Sequence, residues 1–282
     1  PNFKKKGVST DSIRYPQGFK IDQENSKIFI PKIGLIGYRN SRNIEGEPKN
    51  ITISRKGKYW FVSVQVEIEA IEKPHPSKSF VGIDMGVKRF ATLSTRKFYA
   101  PLNSFKNKQT KLAKLQRKLK NKVKFSNNWK NLQAEIGELH ISIANARHDY
   151  THKVSSQISK SHAVIAIENL NLKNMTKTAK GNTEKYGKNV KQKSGLNRSI
   201  LDQGIGMFFN QLEYKQNWLG GMVIKIDPKH TSQTCPCCKH KHKDNRKTQS
   251  EFVCVECGYS ENADYVASIN IRTRGHMELA NG

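Results

Sequence analysis

Three carboxylates, far apart in the chain, each stand where a fold could aim them at one point. Asp84 sits inside an apolar run, Phe80-Val81-Gly82-Ile83-Asp84-Met85-Gly86. Glu168 closes a second, Ala163-Val164-Ile165-Ala166-Ile167-Glu168. Asp264 opens a helix-forming stretch that runs from Asn262 to Ile271. A carboxylate at the end of a buried strand is costly unless a cation or a donor neutralises it. Hard oxygen ligands that meet at one point hold Mg²⁺, and such a centre hydrolyses phosphodiesters. Gly82 and Gly86 flank Asp84 and are expected to let a ligand approach the backbone closely. Singly, each acid also has a plainer reading, as a cap, an ion-pair partner or, for Asp264, a favourable charge at a helix N-terminus.

A second constellation is made of sulfur. The five cysteines are Cys235, Cys237, Cys238, Cys254 and Cys257. Cys235-Pro236-Cys237-Cys238 and Cys254-Val255-Glu256-Cys257 each form a knuckle with two residues between the outer thiols. Two such knuckles bring four thiolates within tetrahedral reach of one Zn²⁺, so Cys235, Cys238, Cys254 and Cys257 are the expected ligands of a closed, structural site. Cys237 is read as a filler, with His240 and His242 as substitute ligands. A secreted disulfide framework would scatter its cysteines through the chain instead. His148 and His152 lie one helical turn apart but have no third ligand nearby in sequence. With Arg147, they read as core or phosphate contacts.

Charge names the partner class. The 282 residues carry 50 Lys+Arg against 23 Asp+Glu, a formal net charge of +27. Such a field attracts polyanions, nucleic acid before anionic membrane. No apolar run approaches the ~18–20 residues of a spanning helix. The opening Pro1-Asn2-Phe3-Lys4-Lys5-Lys6 has no apolar signal-peptide core. A cytoplasmic protein without a membrane partner is expected. Because the chain opens on Pro, it is expected to be part of a longer or processed protein.

The elements that must position these groups follow from the pattern. Residues 1–75 read as β-rich, with strands at 27–31, 51–54 and 59–68. In the last of these Val62, Val64, Val66 and Ile68 alternate with Ser63, Gln65 and Glu67. Pro74 and Pro76 mark a linker. Residues 76–228 read as an α/β core. It holds a hairpin turned at Gly86-Val87-Lys88, a helical hairpin over 102–160, the strand ending at Glu168, and strand 222–226. Trp129, Leu132, Ile136, Leu139, Ile143, Ala146 and Tyr150 keep one helical face. Residues 101–130 contain ten Lys/Arg and no acid, which suits contact with a nucleic-acid backbone. Residues 173–198 read as a loop, and Ile200–Trp218 as one amphipathic helix stopped by Gly220-Gly221. The metal ribbon spans 229–260 and a last helix 261–282.

Together these residues resemble the TnpB-type (OrfB) insertion-sequence proteins, RNA-guided DNA nucleases related to type V CRISPR effectors. The resemblance is carried by Val81-Gly82-Ile83-Asp84-Met85-Gly86 with Phe90-Ala91-Thr92, and by Ile167-Glu168-Asn169-Leu170 through Met175. It continues in Thr231-Ser232-Gln233-Thr234-Cys235 through Cys257-Gly258, and in Asp264 with Ala267 and Asn270-Ile271. It implies an RNase H-like (RuvC) nuclease domain with an inserted helical hairpin and zinc ribbon. A β-rich partial wedge domain that grips guide RNA would precede it. Asp84, Glu168 and Asp264 would hold two catalytic Mg²⁺ or Mn²⁺ ions. A guide RNA would select the DNA target by base pairing. A guided binding protein or repressor that does not cut is the alternative. The chain departs from the family pattern at Val266, Ser268 and the additional Cys237, and shows little of the further N-terminal part, including a helical recognition domain, that family members usually carry.

Overall fold

The computed structural model describes residues 11–69, 73–182 and 186–281. The chain divides into two compact units. One comprises Pro1–Glu72 with Arg117–Ile141, the other Lys73–Gln116 with Ser142–Gly282.

The first unit contains β1 (Ser12–Tyr15), β2 (Lys20–Asp22), β3 (Lys27–Ile30), β4 (Gly34–Gly37), β5 (Glu47–Lys56) and β6 (Tyr59–Glu67). They form two antiparallel sheets, ordered β1-β5-β6 and β2-β3-β4. Ile28, Ile30 and Ile51 are fully buried between them, with Tyr15, Ile21, Ile36, Ile53, Val62 and Val64 packed around. The alternation read in β6 therefore points Val62 and Val64 at this core. Ile68 falls past the end of β6 and is exposed. β1, β2 and β4 were not expected, because three or four residues are too few to carry a readable period.

The second unit is built on β7 (Phe80–Met85), β8 (Ala91–Leu93), β9 (Phe98–Tyr99), β10 (Val164–Glu168) and β11 (Met222–Ile226), in the order β11-β10-β7-β8-β9. β10 runs parallel to both β7 and β11, while β7, β8 and β9 form an antiparallel meander. The long helices α1 (Ser104–Lys120) and α2 (Asn127–Ser161) separate β9 from β10. Then come α3 (Leu172–Met175), α4 (Val190–Gln203) and α5 (Ile205–Leu219). After β11 a small hairpin of β12 (Glu251–Val253) and β13 (Ser260–Asn262) leads into α6 (Ala263–Asn281).

Strand alternation splits the sheet into two faces. Val81, Ile83, Ile165 and Ile167 face a core completed by Val154 and Ile158 of α2 and by Ile205, Phe208, Phe209 and Leu212 of α5. Ala166 and Ile226 face the other way, onto Ile271 of α6. Here Gly82 has its use. A Cβ at this position would lie 2.2 Å from the Ser268 carbonyl oxygen and 2.5 Å from the Arg272 amide nitrogen. The glycine admits the backbone of α6, not a ligand as its place beside Asp84 had suggested.

Two readings of the sequence need correction. Residues 190–198, expected to be loop, are helical and belong to α4. Of that helix's apolar side chains only Ile200 is buried, so it has no apolar stripe. Polar contacts hold it instead: Lys193 Nζ donates to the Met175 carbonyl at 2.6 Å and Asn197 Nδ2 to that of Thr176 at 2.8 Å. The single helix expected from Ile200 is two, because Gly204 adopts φ +69°, a left-handed conformation that ends α4 and starts α5.

Candidate active site

Parallel pairing sets the first two acids side by side. Ile167 of β10 is in register with Ile83 of β7, so Glu168 and Asp84 leave the sheet at the same carboxyl edge. Ligand sites of open α/β sheets sit at this edge. α6 packs along β7, and its first turn carries Asp264. The three acids named from sequence thus lie on neighbouring elements, near enough for Asp84 to feel the charge of the other two. Asp84 is held well above the ordinary carboxylate range, first by removal from water and then by the negative charges of Glu168 and Asp264. Glu168 is also raised, by burial. Carboxyls crowded in this way favour protons or another cation over bare ionisation.

The counter-charges come from residues the sequence reading had not placed here. Arg246 points its guanidinium at Asp264 Oδ1, 3.4 Å away, and donates to the Gln249 carbonyl at 2.9 Å. Its charge opposes the rise at both Asp84 and Glu168, and Arg274 does the same at Glu168. Thr231 is almost fully buried and donates its hydroxyl to Glu168 Oε1 at 2.5 Å. Asn270 of α6 fixes that loop by donating Nδ2 to the carbonyls of Thr231 and Thr234, both at 2.7 Å. Thr231 and Asn270 stand among the residues that carry the family resemblance, but composition and period mark neither for such a role, which only their proximity in the fold reveals.

The four expected thiols meet. Cys235, Cys238, Cys254 and Cys257 bring their sulfurs within 4.8 Å of one another. Cys235–Cys257 and Cys238–Cys254 are each 3.6 Å apart. A tetrahedron with Zn–S bonds of about 2.3 Å has edges of about 3.8 Å, so the cluster fits a metal such as zinc. The Cys257 thiol is drawn down to about 7 by the Tyr259 backbone amide and by hydrogen bonds from neighbouring thiols. Cys237 is exposed and outside the set. His240 supplies its carbonyl to the Cys235 amide, and its ring is not among the cluster's ligands. His148 and His152 approach each other, Nε2 to Nε2 at 3.2 Å, without forming a three-ligand site. Among the described residues the cysteines are the one set of three or more such ligands whose atoms all lie this close. The carboxylates, with Arg246 beside them, spread more widely. Their hard oxygen donors nonetheless suit Mg²⁺ or Mn²⁺.

The ribbon is tied to the acids through its own core. Phe252, Cys235 and Cys254 pack against Ala263 and Val266, the first residues of α6 around Asp264.

Comparison with known proteins shows the family. Residues 63–179, which include Asp84 and Glu168, match the family model OrfB_IS605, described as "Probable transposase". Residues 206–271, which include the four thiols and Asp264, match the "Cas12f1-like, TNB domain" model. The chain is 52% identical to "Putative RNA-guided DNA endonuclease InsQ" of Escherichia coli K12, over 100% of this chain and 70% of that protein. The chain belongs to the TnpB-type (OrfB) family. A second member, "Putative RNA-guided DNA endonuclease" of Streptomyces pristinaespiralis, is 28% identical over 100% of this chain and 67% of its own length. A solved Cas12f1–sgRNA–target DNA complex matches at 18% identity with a TM-score of 0.44, covering 96% of this chain and 68% of that one. No helix among the described residues is long and apolar enough to cross a membrane.

Proposed function

We propose that this chain carries the nuclease centre of an RNA-guided DNA endonuclease. The observation that supports the proposal is the placement of Asp84 and Glu168 at one edge of the sheet and Asp264 at the start of the helix packed on it, with the charges of Glu168 and Asp264 felt at Asp84. In this reading the second unit is an RNase H-like (RuvC) domain, supported by its β11-β10-β7-β8-β9 order. The two sheets of the first unit belong to a wedge domain that holds guide RNA. The four thiols hold a structural Zn²⁺.

The three carboxylates would hold two Mg²⁺ or Mn²⁺ ions, which supply an activated water and stabilise the leaving oxygen when bound. The chain's own residues do the rest. Thr231 fixes the Glu168 carboxylate, Arg246 balances the acidic charge, and the packing of α6 on β7 sets Asp264 against the sheet edge. Guide RNA pairs with the DNA target, and the lysine-rich stretch 101–130 contributes backbone contacts whose strength falls with salt.

The test is cleavage of a guide-matched DNA in Mg²⁺ by the wild type and by Asp84→Ala, Glu168→Ala and Asp264→Ala. Each variant is expected to bind nucleic acid but not cut it. Cutting at the wild-type rate by Asp84→Ala would overturn the assignment.

A further inference from the structure

The six residues between α1 and α2 contain an unusual side chain. Phe125 has φ +70° and leaves 64% of its surface exposed. A bulky residue in the left-handed region is strained, and glycine or asparagine would make the same turn at less cost. Ser126 caps α2 by accepting the Trp129 amide at 3.2 Å, a task that does not require Phe125. The Phe125 ring touches Trp129 edge-on, with centroids 5.5 Å apart, and Lys124 Nζ lies 5.1 Å from its centroid. Most of the ring remains open.

The end of α1, the turn and the start of α2 line an open cleft of about 580 Å³, whose walls combine distinct chemistries. Lys118 and Lys122 supply positive charge. Asn121, Asn128 and Asn131 supply amides that both donate and accept, and Glu135 supplies an acceptor. The size suits one small organic ligand. Lysines suit phosphate, but a carboxylate repels it. Glu135 calls for a hydroxyl or amino donor on the same ligand. A ribonucleotide offers all three: a flat base, a phosphate and a 2′-hydroxyl. Duplexes keep their bases stacked, so an aromatic finger of this kind selects an unpaired strand.

We propose that this turn binds single-stranded RNA. One splayed base stacks on Phe125, adjacent phosphates lie on Lys118, Lys122 and Lys124, and the ribose or base edge enters the cavity of Asn121, Asn128, Asn131 and Glu135. The inference deepens the RNA-partner part of the proposed function and is independent of the carboxylate site.

The test uses the full chain and a short fluorescein-labelled single-stranded RNA containing 5-bromouridine. Controls are the same sequence as DNA and as duplex RNA. Anisotropy reads affinity, and photocrosslinking with peptide mapping reads location. Crosslinks are expected within 121–135. Phe125→Gly, which removes the backbone strain, should fold at least as stably as the wild type and bind RNA on the order of tenfold more weakly. Phe125→Trp should retain binding. Lys122→Gln with Lys124→Gln should lower the salt slope of binding by about 1.4. Wild-type affinity in Phe125→Gly, absence of crosslinks in this segment, or crosslinks to the DNA strand but not the RNA would each overturn the proposal. Cleavage by the Asp84 variants is scored separately, so failure at one site leaves the other standing.

Discussion

Replacing Thr231 with valine keeps nearly the same shape and removes one hydroxyl. That hydroxyl donates to Glu168 Oε1 at 2.5 Å, with Asn270 holding its loop through two bonds of 2.7 Å. Hydrogen bonds to a charged group contribute about 1.5–3 kcal/mol. At about 1.4 kcal/mol per tenfold, this is on the order of 10- to 100-fold, the range seen when partners that orient a metal ligand are removed. Thr231→Val is therefore expected to raise the Mn²⁺ concentration for half-saturation by about 10- to 100-fold, read by the loss of free-ion signal in electron paramagnetic resonance. Cleavage at saturating metal should recover. Thr231→Ser keeps the hydroxyl and should bind Mn²⁺ like the wild type. Zinc content reports whether the ribbon is intact in each. Wild-type Mn²⁺ binding by Thr231→Val would refute the positioning role. Equal loss in Thr231→Ser would place the effect in the methyl group and its packing.

Three other outcomes follow from the same structure. The raised Asp84 carboxyl lets the folded chain bind more protons than the unfolded one above the ordinary value of 3.8, so stability falls as pH rises through that window. Without divalent ions Asp84→Asn should thus melt higher than the wild type at neutral pH, and adding Mg²⁺ should narrow or reverse the gap; a lower melting point would contradict this. Asp202 accepts from the Ser104 hydroxyl and the Phe105 and Lys106 amides at the start of α1, and from Arg147 at 2.8 Å. Asp202→Ala, which strips the cap and the ion-pair partner together, should cost about 3 kcal/mol in urea denaturation. The carboxyl of Asp202 lies below 3.8, so its stabilisation is present at neutral pH and is lost as pH falls through its lowered folded value. Cys235→Ser should abolish zinc binding and, by loosening Arg246 and the 231–234 loop, cleavage. Cys237→Ser should retain one zinc per chain by atomic absorption.

What could be read ahead of the fold was whatever repeats or clusters. The apolar runs around Asp84 and Glu168 named two central strands, and the paired knuckles named the four thiols that meet. α5 was legible as most of the amphipathic stretch Ile200–Trp218, and its Ile205, Phe208 and Leu212 are buried. α4 was not, since polar side chains hold it to the carbonyls of Met175 and Thr176 and no apolar period exists to see. Gly82 was noticed but misread, because only the packing of α6 reveals what approaches it. Thr231 and Arg246 act on carboxylates 63 and 18 positions away. Separations of that kind leave no mark on a local pattern.

The central claim is that Asp84, Glu168 and Asp264 jointly hold divalent metal. Crystals of the chain grown in Mn²⁺ and measured at the manganese absorption edge test it most directly. Anomalous density is expected among these three side chains, with the Arg246 guanidinium displaced from Asp264, and is expected to vanish in Asp84→Ala while the zinc signal at the four thiols persists. Density confined to the thiols, or a manganese site that survives unchanged in Asp84→Ala, would contradict it.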